Sequence, residues 1–295
     1  MTNISRRDFL AASFGLVATG ALAACGGGSS SSAAASAADA SATSSAAADA
    51  AASKVLTIAA TPEPHAKILT EFAAPALAEK GIELQVKEFT DYVQPNEVVW
   101  NGEIDANYFQ HVAYLNDYNE KNGESLVVVA KAHYEPYGIY AGKSSDLANI
   151  ADGAEIAVPN DPSNEARALL LLQQAGLITL KNPDDIAATP NDIVDNPHNI
   201  KFREIEAAAT PRALQDVDFA AVNGNYAIEA GLHASDALVV EKASDAVLDQ
   251  YANIIATRPE LASDERLLAL AEVLASADFA AYLEKNFGQD VLPVK

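Results

Sequence analysis

A single cysteine, Cys25, stands in this chain of 295 residues, so no intramolecular disulfide can staple the fold. Positive charge is also scarce: 19 Lys and Arg face 41 Asp and Glu, for a formal net charge of −22 and a pI near 4.4. Binding to phosphate needs clustered Lys and Arg, so nucleic acid and anionic membrane surfaces are excluded as partners, and the acidic excess reads as a solubilising surface. No run of like charge is long enough to mark a separate interaction tail. The histidines, His65, His111, His133, His198 and His233, are dispersed, and a paired His-Glu metal motif, a Gly-x-Ser-x-Gly elbow and a phosphate loop are all missing. No metal, cofactor or catalytic residue is therefore expected. His111 near Asp105 or Asp117 could act as a general base, but no nucleophile stands beside it, which leaves a cell-surface hydrolase as a rival reading only.

What the first residues do contain is an export signal. Arg6 and Arg7 charge the start, an apolar stretch runs from Phe9 to Ala24, and Leu22-Ala23-Ala24 supplies small residues before Cys25. Ser5-Arg6-Arg7-Asp8-Phe9-Leu10 also resembles the twin-arginine export motif. The stretch is short for a membrane span of roughly 20 residues and has no basic stop-transfer flank, so cleavage before Cys25 and lipidation of its thiol are expected. Gly26 to Ser53 is almost wholly Gly, Ser and Ala, with too little apolar surface to offset ordering, and reads as a tether.

From Lys54 about 240 residues remain, enough for two lobes. Strand-like and helix-like stretches alternate: strand Val55 to Ala60, helix Pro64 to Lys80, strand Ile82 to Phe89, helix Val93 to Asn101, strand Ile104 to Tyr108, helix His111 to Asn122 and strand Ser125 to Ala130. A second set follows with strand Glu155 to Val158, helix Pro162 to Ala175, strands Ile200 to Ile205 and Phe219 to Val222, and helix Asn225 to Ala230. Tyr251 to Thr257 reads as a strand returning to the first set, and Ser263 to Asn286 as a helix with a break near Ser276. The expected fold is therefore α/β and two-lobed, with lobe 1 over 54–140 plus 246–295, lobe 2 over 141–245, and a ligand cleft between them.

Three clusters carry chemistry. In Ala157-Val158-Pro159-Asn160-Asp161-Pro162-Ser163-Asn164-Glu165-Ala166-Arg167 a strand runs into a turn, and Asp161 can cap a helix opened by Pro162. Ligands of open α/β sheets bind at that edge, and Asn164 and Arg167 share one face of the first turns. The Arg167 guanidinium could fork onto a carboxylate, or it could pair with Glu165 or the other lobe and merely solvate the helix. In the second cluster, Phe109, Tyr114 and the earlier Tyr92 could wall an apolar or thioether tail beside His111, though such spacings also suit an ordinary core. In Val222-Asn223-Gly224-Asn225-Tyr226, Gly224 admits close approach and the Asn amides suit an amine or a carboxylate, though Asn-Gly-Asn is also common turn chemistry.

Together, in this order and at these separations, the clusters resemble those of the methionine-binding lipoproteins of bacterial ABC importers, a family with the type II periplasmic-binding-protein fold. The resemblance covers Val55 to about Phe287 and rests on Phe89 to Asn96, Gly102 to His111, Ile156 to Gln173 and Ala220 to Ala227. It implies that Tyr92, Phe109, His111 and Tyr114 surround the ligand side chain. It further implies that Arg167 holds the α-carboxylate, with Asn164 and Asn223 fixing carboxylate and amine. No acidic partner for the amine is evident. Residues 182–199 and 235–249 match the family loosely, and the stretch from Tyr134 to Tyr140 departs from its commonest pattern. The implied protein is a monomeric receptor on the extracytoplasmic face of the cell membrane, anchored through Cys25, that delivers L-methionine or a related small amino acid to an ABC importer permease. A receptor of the same fold for another small apolar amino acid or a methionyl dipeptide is the alternative.

Overall fold

The computed structural model describes residues 54–294. The expected export signal over 1–24, Cys25 and the tether over 25–53 lie outside the described residues. The strands are β1 (Val55–Ala60), β2 (Glu83–Glu88), β3 (Ala106–His111), β4 (Val127–Tyr134), β5 (Gly138–Ala141), β6 (Glu155–Pro159), β7 (Thr179–Leu180), β8 (Ile193–Asp195), β9 (Lys201–Ile205), β10 (Phe219–Val222), β11 (Val239–Val240), β12 (Ala252–Thr257) and β13 (Leu292–Pro293). They form two main sheets, ordered β13-β4-β12-β3-β1-β2 and β11-β5-β10-β6-β9, with β7 and β8 as a separate antiparallel pair. The α-helices are α1 (Ala74–Glu79), α2 (Gln94–Trp100), α3 (Val112–Asn122), α4 (Pro162–Gln174), α5 (Thr210–Ala213), α6 (Gly224–Glu229), α7 (Asp245–Tyr251), α8 (Glu265–Leu274) and α9 (Ala277–Phe287).

The central strands of each sheet, β3 and β12 in the first and β10 in the second, are buried on both faces, whereas the edge strands β2 and β9 alternate with exposed polar residues. In β1, Leu56 and Ile58 face a core shared with α8 and α9, whereas Ala59 turns to the core of Phe109, Tyr114 and Leu115. The second sheet divides likewise, with Ile156 and Val158 on one side and Ala157 on the other. The parallel pairs β1-β2 and β1-β3 come from crossover connections, as the strand-helix-strand pattern implies.

The expected returning strand is β12, which inserts antiparallel between β3 and β4 with all six residues buried. The chain therefore passes between the sheets twice, at 135–137 and 241–251, and the two-lobed type II periplasmic-binding-protein architecture follows. The first passage comes a few residues before 140, because β5 pairs with β10 and β11 in the second sheet. The expected helix from Pro64 to Lys80 is regular only in α1; residues 62–73 wind through wider turns, where Pro62 and Pro64 withhold backbone donors. Tyr251 ends α7 rather than starting a strand, with the Ser244 hydroxyl capping that helix. The break near Ser276 is a cap too: its Oγ accepts the Phe279 N–H at 3.1 Å and starts α9. Among the described residues no helix is long and apolar enough to cross a membrane.

Candidate ligand-binding site

The site begins at the start of α4. Asp161 Oδ1 accepts from the Asn164 N–H at 3.0 Å, Ser163 Oγ at 3.0 Å and Asn164 Nδ2 at 2.8 Å, so the cap fixes both the first turn and the Asn164 side chain. Held in this way, Asn164 Oδ1 accepts from Asn223 Nδ2 at 2.7 Å and from His111 Nε2 at 3.2 Å. The His111 proton is placed by the same contacts. Its Nδ1 accepts the Tyr114 N–H at 3.1 Å and caps α3, so Nε2 carries the hydrogen. Burial first, and Arg167 second, push its pKa down to about 3, and the ring is a neutral donor.

Arg167 lies one turn further along α4 and is 3% exposed, a burial that requires a partner. That partner is neither Glu165 nor solvent. Nε lies 3.0 Å and 3.2 Å from the two Glu241 carboxylate oxygens, and Nη2 donates to Glu241 Oε2 at 2.6 Å and to the Glu135 carbonyl at 3.2 Å. Burial opposes the charge, but the Glu241 carboxylate outweighs it and raises the guanidinium pKa above its ordinary value. The rings of Tyr251 and Tyr137, 4.3 Å and 4.8 Å from the guanidinium carbon, stack the plane. The fork is thus already taken, and among the described residues only Nη1 meets no acceptor.

Tyr92, Phe109 and Tyr114 form a cage, with ring centroids 5.7 to 6.0 Å apart. Tyr92 crosses to the other lobe, where its hydroxyl donates to Asn225 Oδ1 at 2.5 Å and its ring lies 4.9 Å from that of Tyr226. Tyr226 reciprocates by donating to the Thr90 carbonyl at 3.2 Å.

The seven side chains singled out in the sequence, Tyr92, Phe109, His111, Tyr114, Asn164, Arg167 and Asn223, line one cavity between the lobes with about 330 Å³ of empty space, its mouth included. Gly224 and Asn225 of the Asn-Gly-Asn motif and Gln110 of the second cluster line the same wall, and sequence reasoning missed Glu135 and Asn253 beside them. Glu135 is the acidic group that the motifs did not supply. Its Oε2 accepts the Asn225 N–H at 2.7 Å, and burial raises its pKa while His65 and that N–H oppose the rise. The signal was a lone carboxylate between aromatic Tyr134 and Pro136 at a strand end; Glu241 had none, being far away in the chain. Two buried polar atoms of the site lack a hydrogen-bond partner: the acceptor Asn223 Oδ1 and the donor Asn225 Nδ2.

Two expectations are corrected. The histidines are not all dispersed in space, since His65 and His133 both meet Glu135. Among the described residues the His111 ring nitrogens meet Asn164 Oδ1 and the Tyr114 N–H rather than a carboxylate, and Asp105 binds the Thr57 N–H and hydroxyl at 2.9 Å instead. Asn96, Asn107 and Gln110, within the stretches that carry the resemblance, bind one another at 2.7 to 3.0 Å and moor α2 to β3.

Residues 56–295 match the family described as NlpA lipoprotein. The chain is 40% identical over 244 residues to the methionine-binding lipoprotein MetQ of Bacillus subtilis, an alignment covering 81% of this chain and 88% of that protein. Among solved structures it is similar to a lipoprotein from Ruminococcus gnavus, with TM-score 0.80, 46% identity and coverage of 82% and 100% of the two chains. It is also similar to a nutrient binding protein from Burkholderia cenocepacia bound to methionine, with TM-score 0.76, 35% identity and coverage of 81% and 100%.

Proposed function

The chain belongs to the NlpA lipoprotein family, and from that premise we propose how its interlobe cavity captures one molecule of methionine for an ABC importer. It is a lipoprotein of the extracytoplasmic face and a binding protein, not an enzyme; its membrane partner is an ABC permease.

The observation that carries the reading of the site is the pair of orphaned atoms, a buried acceptor on Asn223 and a buried donor on Asn225, in one cavity with a guanidinium and a carboxylate. Leaving such groups unpaired costs roughly 1–3 kcal/mol each, a cost that a zwitterion removes. The ligand ammonium takes Glu135 and Asn223 Oδ1; the ligand carboxylate takes Arg167 Nη1 and Asn225 Nδ2. Asn164, whose amide is engaged on both sides, orients Asn223 and His111. The thioether lies among Tyr92, Phe109, Tyr114 and His111, where sulfur against a ring contributes roughly 0.3–1.5 kcal/mol.

The enclosed space between the lobes is small and suits one amino acid better than a dipeptide. Methionine has about nine heavy atoms, so a ceiling of roughly −1.5 kcal/mol per atom permits about −13 kcal/mol, near nanomolar affinity. Closure of the lobes through Tyr92, Tyr226 and His111 creates the shape that a permease reads. A thermal-shift panel of methionine, leucine and glycyl-methionine on ligand-stripped protein tests this. Methionine is expected to raise the melting temperature most; a larger rise with leucine or the dipeptide would reassign the ligand.

A further inference from the structure

We propose that His65 and His133 are positioning residues for the ligand's ammonium group: they clamp the Glu135 carboxylate in the cavity wall and make a free α-amino group a condition of tight binding. The inference rests on the reading of the cavity as an amino-acid site.

The clamp is built from three separate segments. His133, on β4, places Nε2 2.8 Å from Glu135 Oε1, and the Tyr108 hydroxyl on β3 meets its Nδ1. His65, in the turns after β1, places Nε2 2.9 Å from Asn253 Oδ1 and 3.4 Å from Glu135 Oε1, while the Thr61 hydroxyl lies 2.8 Å from its Nδ1. A hydroxyl that donates to Nδ1 leaves the hydrogen on Nε2, so His133 donates to Glu135 Oε1, while His65 gives its proton to Asn253 Oδ1 and sets its ring edge 3.4 Å from the same carboxylate oxygen. The other oxygen is held by the Asn225 N–H. Both imidazoles are 0% exposed, and burial pushes them down to about 4 and about 3, which keeps them neutral dipoles at physiological pH.

Packing locks the same arrangement. The His65 ring meets the Tyr108 ring edge-on at 4.7 Å and lies 5.1 Å from the His133 ring. Behind the carboxylate, a Cβ on Gly224 would come within 2.6 Å of Glu135 Cβ and 3.0 Å of Oε2, so only glycine leaves Glu135 its place. His65, His133 and Glu135 have the composition of a metal site, their ligand atoms lying within 4.8 Å of one another. Yet each ring nitrogen already has a hydrogen-bond partner, and the 2.8 Å contact from His133 is a hydrogen-bond distance; the cluster holds a carboxylate, not a cation.

Calorimetric titration with two ligands of one skeleton tests the clamp: methionine, and its 2-hydroxy analogue, which carries a hydroxyl in place of the ammonium. His133→Leu removes the donor, His133→Gln restores an N–H near the same place, and His65→Leu is an independent variant; circular dichroism melts report folding of each. In His133→Leu and His65→Leu, methionine is expected to weaken about tenfold or more and the hydroxy analogue by less than about threefold, so that selectivity for the amine falls. His133→Gln keeps the wild-type ratio. Equal weakening of both ligands, unchanged affinities, or a stoichiometric divalent metal in the purified wild-type protein overturns the proposal. A wild-type protein that binds no methionine instead sinks the reading of the cavity itself.

Discussion

Arg167 and Glu241, 74 residues apart in the chain, meet fork to fork, with Nε 3.0 Å from Oε1 and Nη2 2.6 Å from Oε2, both side chains less than one-tenth exposed. Tyr134 donates to the same carboxylate at 2.6 Å. Glu241 lies on the second passage between the lobes and Tyr134 on the strand that leads into the first, so the guanidinium proposed to read the ligand is tied to both connections.

Removing one member of such a pair leaves a buried charge without compensation, which costs about 3–5 kcal/mol. Glu241→Ala should therefore destabilise the ligand-free protein by about that much, measured by urea unfolding. A loss below about 1 kcal/mol, the range of exposed ion pairs, would mean that the guanidinium is satisfied without Glu241.

Asn223 gives the opposite pattern. Its Oδ1 has no hydrogen-bond partner among the described residues, so Asn223→Ala costs little stability without ligand beyond the bond from Nδ2 to Asn164, about 1 kcal/mol. Methionine affinity should fall about tenfold or more in the same variant. A fall in stability without a change in affinity would remove Oδ1 from the ligand contacts.

Glu165 supplies a pH test remote from ligand chemistry. Burial first, then the charges of Glu204 and Asp161, push its carboxyl from the ordinary 4.5 up to about 7. Between these values the folded chain keeps a proton that the unfolded chain has lost, so this group's contribution makes stability fall as pH rises from about 4.5 to about 7 and then level off. Glu165→Gln should melt at a higher temperature than wild type at pH 8, with the difference shrinking toward pH 4.5. A difference independent of pH would contradict the shift.

Much of the fold was legible because local chemistry coincides with tertiary need. Asp161-Pro162 reads as a helix start and is one, Ser276 reads as a break and is a cap, and the return of β12 shows in the apolar run before Thr257. The aromatic cage and the Asn223-Gly224-Asn225 turn were legible from motifs that sit at strand ends. What was hidden is what the passages between the lobes bring together. Glu135, Glu241, His65 and His133 each stand in ordinary local surroundings, and their pairing depends on β12 threading between β3 and β4. The short strands β5, β7 and β8 were equally silent, since so few residues cannot set up a period.

The most direct test of the central claim is calorimetric titration of methionine into protein unfolded, dialysed free of ligand and refolded. One methionine per chain with a Kd below about 1 μM is the expected result. No heat up to millimolar methionine, from a chain that has regained its native melting transition, would contradict it.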